Sequence, residues 1–155
     1  MSDTININTD NTEKNCTGYD IVIDSNFSSL HDRPINSGFR SKKICIVTDS
    51  HVGPLYAEHV RKSLGDAASE CLIYSFPAGE KSKTLDTVHD LYRFLIENHF
   101  DRKSLLIALG GGVVGDLTGF TAATFLRGVP FVQIPTTLLS CTDSSIGGKT
   151  GVKKN

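Results

Sequence analysis

The sequence predicts an α/β domain in which helices flank a parallel β-sheet. Two observations carry the prediction. Short β-branched apolar runs alternate with segments whose apolar residues recur every three or four positions, the mark of βαβ units. Glycine, threonine, aspartate and lysine also collect just after the apolar runs, at the carboxyl ends of strands where open parallel sheets bind ligands.

Met1 to Asn15 reads as a polar start, Tyr19-Asp20-Ile21-Val22-Ile23 as a short strand and residues 31–42 as a loop rich in Pro, Gly, Ser and Arg. Ile44-Cys45-Ile46-Val47-Thr48 is the first strand buried on both faces. It ends at Asp49-Ser50. Gly53-Pro54 then opens a helix with Leu55, Val60 and Leu64 on one side, and Gly65 stops it. A strand over residues 71–76 runs into Pro77-Ala78-Gly79-Glu80-Lys81-Ser82-Lys83. In the helix that follows, Leu85, Val88, Leu91, Tyr92, Leu95 and Ile96 form one face, while Asp86, Asp90, Arg93 and Glu97 form the other. A strand over 104–109 enters Gly110-Gly111-Gly112. A helix follows over about 114–126, and Gly128-Val129-Pro130 leads to a last strand over 131–134 that Pro135 breaks.

At 155 residues the chain is about one domain long, with ordinary shares of hydrophobic (39%) and charged (21%) residues. A net charge of −1 gives no general attraction for nucleic acid or an anionic membrane, and no apolar run reaches the ~18 residues of a membrane span. Neither partner is expected. Cys16, Cys45, Cys71 and Cys141 are widely spaced with no CxxC pair, which predicts buried, reduced thiols in a cytoplasmic protein. His31, His51, His59, His89 and His99 form no HxxxH or HExxH pair, so no metal site built by this chain alone is expected.

Gly110-Gly111-Gly112-Val113-Val114-Gly115 satisfies GxGxxG between a strand and a helix, which makes the sheet Rossmann-like. Glycines let backbone approach a diphosphate, and the helix start offers unpaired N–H groups and a positive dipole end. A turn needed only for tight strand–helix packing would read the same way. The acidic residue usual about 20 positions later is absent, and Asp116 is expected in the helix's first turn instead. Gly147-Gly148-Lys149-Thr150 imitates the end of a P-loop, but Asp143 stands where that pattern needs glycine, which argues against a nucleotide triphosphatase. Asp143 and Lys149 are six residues apart and suit either a site or a structural ion pair. Thr136 and Thr137 suit a helix cap or a ligand contact. Arg127 ends a helix, where a cation is favoured in any case.

Five strings in order resemble one family. They are Pro77-Ala78-Gly79-Glu80-Lys81-Ser82-Lys83, the glycine turn through Asp116-Leu117, Phe125-Leu126-Arg127-Gly128-Val129-Pro130, Pro135-Thr136-Thr137-Leu138-Leu139, and Asp143-Ser144-Ser145-Ile146-Gly147-Gly148-Lys149-Thr150. From about Tyr19 to Val152 the chain resembles the 3-dehydroquinate synthases. Related cyclases that make 2-deoxy-scyllo-inosose or valiolone-type products share the GGG and PTT segments and usually depart from the last string.

The resemblance implies an enzyme of the shikimate pathway. It would cyclise 3-deoxy-D-arabino-heptulosonate 7-phosphate, a phosphorylated sugar acid, to 3-dehydroquinate with loss of phosphate, using NAD and a divalent metal, zinc or cobalt. By matching position, Asp49, Glu80 and Lys83 would contact the adenosine half of NAD. Gly111, Gly112, Gly115 and Asp116 would surround the diphosphate and its adjoining ribose, and Thr136 and Thr137 the nicotinamide side. Asp143 and Lys149 would stand where cofactor and substrate meet, as the catalytic pair. Arg127 would meet the substrate phosphate from the neighbouring subunit of a homodimer. Lys153 departs from the Asn or Asp usual in the family. Residues 1–155 would thus be the NAD-binding domain of a two-domain enzyme, inactive alone, with the metal ligands in a helical domain beyond Asn155. The competing readings are a non-catalytic NAD-binding or regulatory module and a glycerol-dehydrogenase-like oxidoreductase, for which the Asp143 to Thr150 loop has no use.

Overall fold

A computed structural model describes residues 3–7, 18–27, 30, 43–65, 69–148 and 150–153. The predicted loop over 31–42, and Cys16, His31, Lys149 and Lys154, lie outside the described residues.

Within the expected polar start, residues 3–7 form a strand. Asp3–Ile7 (β1) pairs antiparallel with Tyr19–Ile23 (β2), with Ile5 opposite Ile21 and Ile7 opposite Tyr19. The Thr4-Ile5-Asn6-Ile7 alternation is a strand signal that the polar surroundings mask. Asn6 Nδ2 donates to Asp20 Oδ1 across the pair at 2.7 Å.

The main sheet is parallel, in the order β4-β3-β5-β6, built from β3 (Lys43–Asp49), β4 (Glu70–Phe76), β5 (Leu105–Gly110) and β6 (Phe131–Pro135). Alternation along the two central strands divides the core. Ile44, Ile46, Leu105, Ile107 and Leu109 pack against Ala57, Val60 and Leu64 of helix α1 (Gly53–Leu64). On the other face, Cys45, Val47, Leu106 and Ala108 join Val88, Leu91 and Leu95 of α2 (Leu85–Glu97) and Val114, Leu117 and Ala122 of α3 (Gly112–Thr124). Both faces of β5 are covered, and all six of its residues are buried, as its unbroken apolar run requires.

Several sequence expectations need correction. Leu55 does not share the buried side of α1: it is 68% exposed, and Ala57 takes the inward position that three- and four-residue spacing from Val60 and Leu64 demands. Leu85 and Ile96, at the two ends of α2, are 43% and 63% exposed, while Val88, Leu91 and Leu95 form the buried side. Helix α3 starts two residues earlier than expected and ends at Thr124. A 3-10 turn, Phe125–Arg127, follows, in which Leu126 and Arg127 have positive φ (50° and 69°). Cys45 is buried and Cys71 half-buried, but Cys141 is exposed; all three are free thiols.

The helix ends follow local chemistry. Thr84 Oγ1 caps α2 by accepting from Thr87 N at 3.3 Å. Gly65 ends α1 with φ 49°, as the sequence suggests. Among the described residues no helix is long and apolar enough to cross a membrane.

Candidate active site at the carboxyl edge of the sheet

Helix α1 lies on one face of the sheet and α3 on the other, so the chain reverses direction between β3 and β5. The crevice at such a reversal is where open α/β sheets bind ligands. Four loops border it: Asp49-Ser50 after β3, the segment through Lys83 after β4, Gly111-Gly112 after β5, and the stretch from Thr136 after β6.

The first two loops are tied together. Ser50 N donates to Phe76 O at 2.9 Å, and Ala78 N donates to Ser50 Oγ at 3.0 Å. Asp49 Oδ1 accepts from His51 N and Val52 N, both at 2.9 Å, so this carboxylate braces the start of α1. The 3-10 turn Glu80–Ser82 follows Gly79, whose φ of 109° needs glycine.

Lys83 Nζ meets Asp116 Oδ2 at 2.5 Å, in a pair with side chains only 20% and 17% exposed. Asp116 is therefore not a first-turn helix acid. It is the fifth residue of α3, and a lysine from the neighbouring loop holds it. Glu80 pairs with Lys153 at 2.9 Å, and this hydrogen bond holds the Glu80 carboxyl below its ordinary range. Lys153 N also donates to Lys83 O at 3.0 Å. The segment over 150–153 thus straps the loop that carries Glu80 and Lys83. The sequence marks Lys153 only as a departure from the family; the fold is what pairs it with Glu80.

The glycines divide into two groups. A Cβ on Gly110 would lie 2.5 Å from Val114 Cγ2, one on Gly115 2.7 Å from Gln133 Oε1, and one on Gly119 2.2 Å from Thr150 Cγ2. These three allow α3 to pack closely against its neighbours. Gly115 is buried and its N–H donates to Gly111 O at 3.0 Å, so it offers the crevice no free donor. Gly111 and Gly112 face the stretch after β6 instead: their missing side chains would point at Thr137 Cγ2 and Ser144 Oγ, each at 3.2 Å. Gly111 is the N-cap and Gly112 the first residue of α3, where backbone N–H groups lack helical partners. Neither has positive φ, so what demands glycine here is space rather than backbone conformation.

Thr136 N donates to Gly110 O at 3.0 Å, which fixes the stretch after β6 against the glycine turn. Thr137 Oγ1 accepts from Ser140 N at 3.2 Å and Thr137 N donates to Ser140 Oγ at 3.1 Å, so Thr137 caps the next turn. That turn widens into a π-helical segment, Ser140–Ser144, a form common at functional sites. The hydroxyl oxygens of Thr136 and Ser144 are buried without a hydrogen-bond partner. Asp143 is exposed on the same segment, its carbonyl accepting from Ile146 N at 3.1 Å. Lys149, expected beside it, lies outside the described residues. Gly147 N donates to Tyr19 Oη at 2.9 Å, joining the hairpin to this loop.

The structure thus brings Asp49, Glu80, Lys83, Gly111, Gly112, Asp116, Thr136, Thr137 and Asp143 to one edge. Arg127 is not among them. It sits between the end of α3 and the start of β6, at the opposite edge of the sheet, exposed and with left-handed backbone. Among the described residues no three His, Cys, Asp or Glu side chains gather to hold a metal ion.

A reversing parallel sheet with a glycine turn opening a helix at the reversal makes this a Rossmann-like α/β domain. The chain belongs to the family described as 3-dehydroquinate synthase N-terminal, which it matches over residues 73–155. It is 51% identical over 136 residues to the 3-dehydroquinate synthase of Streptococcus suis (strain 05ZYH33), an alignment covering 88% of this chain and 38% of that protein. The chain therefore spans well under half the length of the curated relatives it matches. Among solved structures it is similar to 2-deoxy-scyllo-inosose synthase complexed with carbaglucose-6-phosphate, NAD+ and Co2+ (TM-score 0.76, 27% identity, 83% of this chain and 34% of that one). It is also similar to 2-epi-5-epi-valiolone synthase from Streptomyces hygroscopicus subsp. jinggangensis 5008 with NAD+ and Zn2+ bound (TM-score 0.69, 32% identity, 81% and 35%).

Proposed function

We propose that this chain is the NAD-binding domain, residues 1–155, of a cytoplasmic 3-dehydroquinate synthase. The whole enzyme would convert 3-deoxy-D-arabino-heptulosonate 7-phosphate to 3-dehydroquinate and phosphate. The observation that carries the reading is the Gly111-Gly112 turn at the sheet reversal, whose side-chain-free surface opens α3 toward Thr137 and Ser144. A diphosphate suits that place, since N–H groups at a helix start donate to anionic oxygens and the dipole favours negative charge. The NAD+ in the two related cyclase structures supports the same ligand.

NAD would supply a hydride acceptor that is restored at each turnover. The residues of this chain would bind and orient it. Gly111 and Gly112 would admit the diphosphate, with the Lys83–Asp116 pair beside the adjoining ribose. Asp49 and Glu80 would take the adenosine side, and Thr136 and Thr137 the nicotinamide side. Asp143 and Lys149 would face the substrate. The described residues gather no metal site, so a divalent metal would be held by other residues. The position of Arg127, on the far edge of the sheet, suits a role across a homodimer, where it would reach the substrate phosphate of the neighbouring subunit.

Titration calorimetry tests the cofactor reading. The 155-residue chain should bind NAD, and Gly112→Val, with its branched side chain driven against Ser144, should abolish the heat while keeping the parent's circular dichroism. Equal heats from two folded proteins would remove the diphosphate from this turn.

A further inference from the structure

Ser144 belongs to none of the contacts assigned above, yet its surroundings call for a ligand. Four side-chain oxygens among the described residues are buried without a partner: those of Thr48, Thr118, Thr136 and Ser144. A hydroxyl in that condition is unfavourable unless something else supplies its bond. Thr48 and Thr118 are fully buried residues with no open side. Thr136 already borders the crevice in the reading above. Ser144 is half-buried, with its hydroxyl oxygen enclosed. Its Oγ lies 3.2 Å and its Cβ 3.6 Å from where a Gly112 Cβ would be. The hydroxyl therefore stands against the first residue of α3, beside the N–H groups that lack helical partners.

We propose that Ser144 is a ligand-positioning residue, its O–H donating to an oxyanion seated on the start of α3. This inference rests on the reading above, in which that anion is the diphosphate of NAD. Ser144 is the last residue of the π-helical segment and its hydroxyl faces Gly112, so a ligand on the start of α3 meets it where that end of the segment moves off Gly112. The segment is suited to lift. Its outer side is open to solvent, with Leu138 and Leu139 82% and 69% exposed, and Cys141, Thr142 and Asp143 exposed as well. Ser140, at the other end, is buried and bonded to Thr137, so the motion falls on the Ser144 end. The exchange is balanced: the serine proton gains an anionic acceptor and the phosphate oxygen gains a donor, where the unliganded hydroxyl had none.

The test compares the 155-residue chain with Ser144→Ala, using NAD and inorganic pyrophosphate as separate probes and thermal unfolding without ligand as control. Removing an unsatisfied hydroxyl should leave Tm unchanged or raised. Losing a hydrogen bond to a charged group should weaken binding of both probes by roughly tenfold or more. A purely structural serine would give the reverse, a lower Tm with unchanged affinity, and that result overturns the inference while leaving the NAD reading intact. If the parent binds pyrophosphate but not NAD, and Ser144→Ala weakens the pyrophosphate, the inference stands and the cofactor reading falls. Absence of binding by either probe overturns both.

Discussion

At the scale of single residues, the same amino acid does different work according to what it faces. Gly110, Gly115 and Gly119 are glycine because a Cβ would collide with Val114, Gln133 and Thr150, whereas Gly111 and Gly112 make room for Thr137 and Ser144 at a helix start. The cysteines divide in the same way. Burial pushes the Cys45 thiol far above its ordinary range, and burial also pushes Cys71 up to about 11. At pH 8 only about one Cys71 in a thousand is then the reactive thiolate. Cys141 is exposed on the segment that covers Gly112. Iodoacetamide at pH 8 should therefore modify Cys141 while leaving Cys45 and Cys71 intact until denaturant is added. Peptide mapping by mass spectrometry reads this directly, and prompt native labelling of Cys45 would contradict its burial.

At the scale of elements, a positive φ follows two helices at different residues. Gly65 closes α1 at φ 49°, where glycine carries no Cβ penalty, and His99 follows α2 at φ 55° with its N–H donating to Ile96 O at 3.0 Å. His99 is exposed, so His99→Gly should relieve the left-handed strain and stabilise by about 1 kcal/mol. Gly65→Ala should cost a similar amount; urea midpoints of the two variants would move in opposite directions. The strap over 150–153 makes a pH-dependent contribution. Because Lys153 depresses the Glu80 carboxyl, the pair's stabilisation is complete above the ordinary glutamate pKa and is lost as pH falls through the lowered value. Both side chains are 61% exposed, so the effect is small, within about 1 kcal/mol at pH 7. Lys153→Ala should lower the urea midpoint slightly at pH 7 and not at all at pH 2. A difference that persists at pH 2 would mean that the lysine acts by packing rather than by charge.

At the scale of the whole molecule, the strand order decides which residues can meet. Loops at the carboxyl edge meet across the reversal between β3 and β5, while Arg127 is carried to the other edge by the length of α3. One sheet edge also builds only one wall of a cleft, and water reaches any intermediate held there. The chain spans 38% of the length of its Streptococcus suis relative. The 155-residue chain given substrate, NAD and added zinc or cobalt should accordingly release no phosphate, while a full-length relative in the same assay does. Turnover near the relative's rate would show that these residues alone form a competent site.

The α/β class, the four parallel strands and the glycine turn were legible because they rest on local signals: strands buried on both faces need unbroken apolar runs, and helices need a period of 3.6. The positions of Gly111, Gly112, Thr136 and Thr137 at the crevice follow from those same signals, since strand ends and helix starts are adjacent in sequence. Pairings between distant segments were not legible. Lys83 with Asp116, Glu80 with Lys153, Tyr19 with Gly147, and Ser144 against Gly112 join residues 32 to 128 positions apart, and no periodicity records such contacts. Which apolar residues are buried also waited on the fold. Leu55, Leu85 and Ile96 are as apolar as Val60 and Leu91, but only the side chains that the sheet lies against are buried.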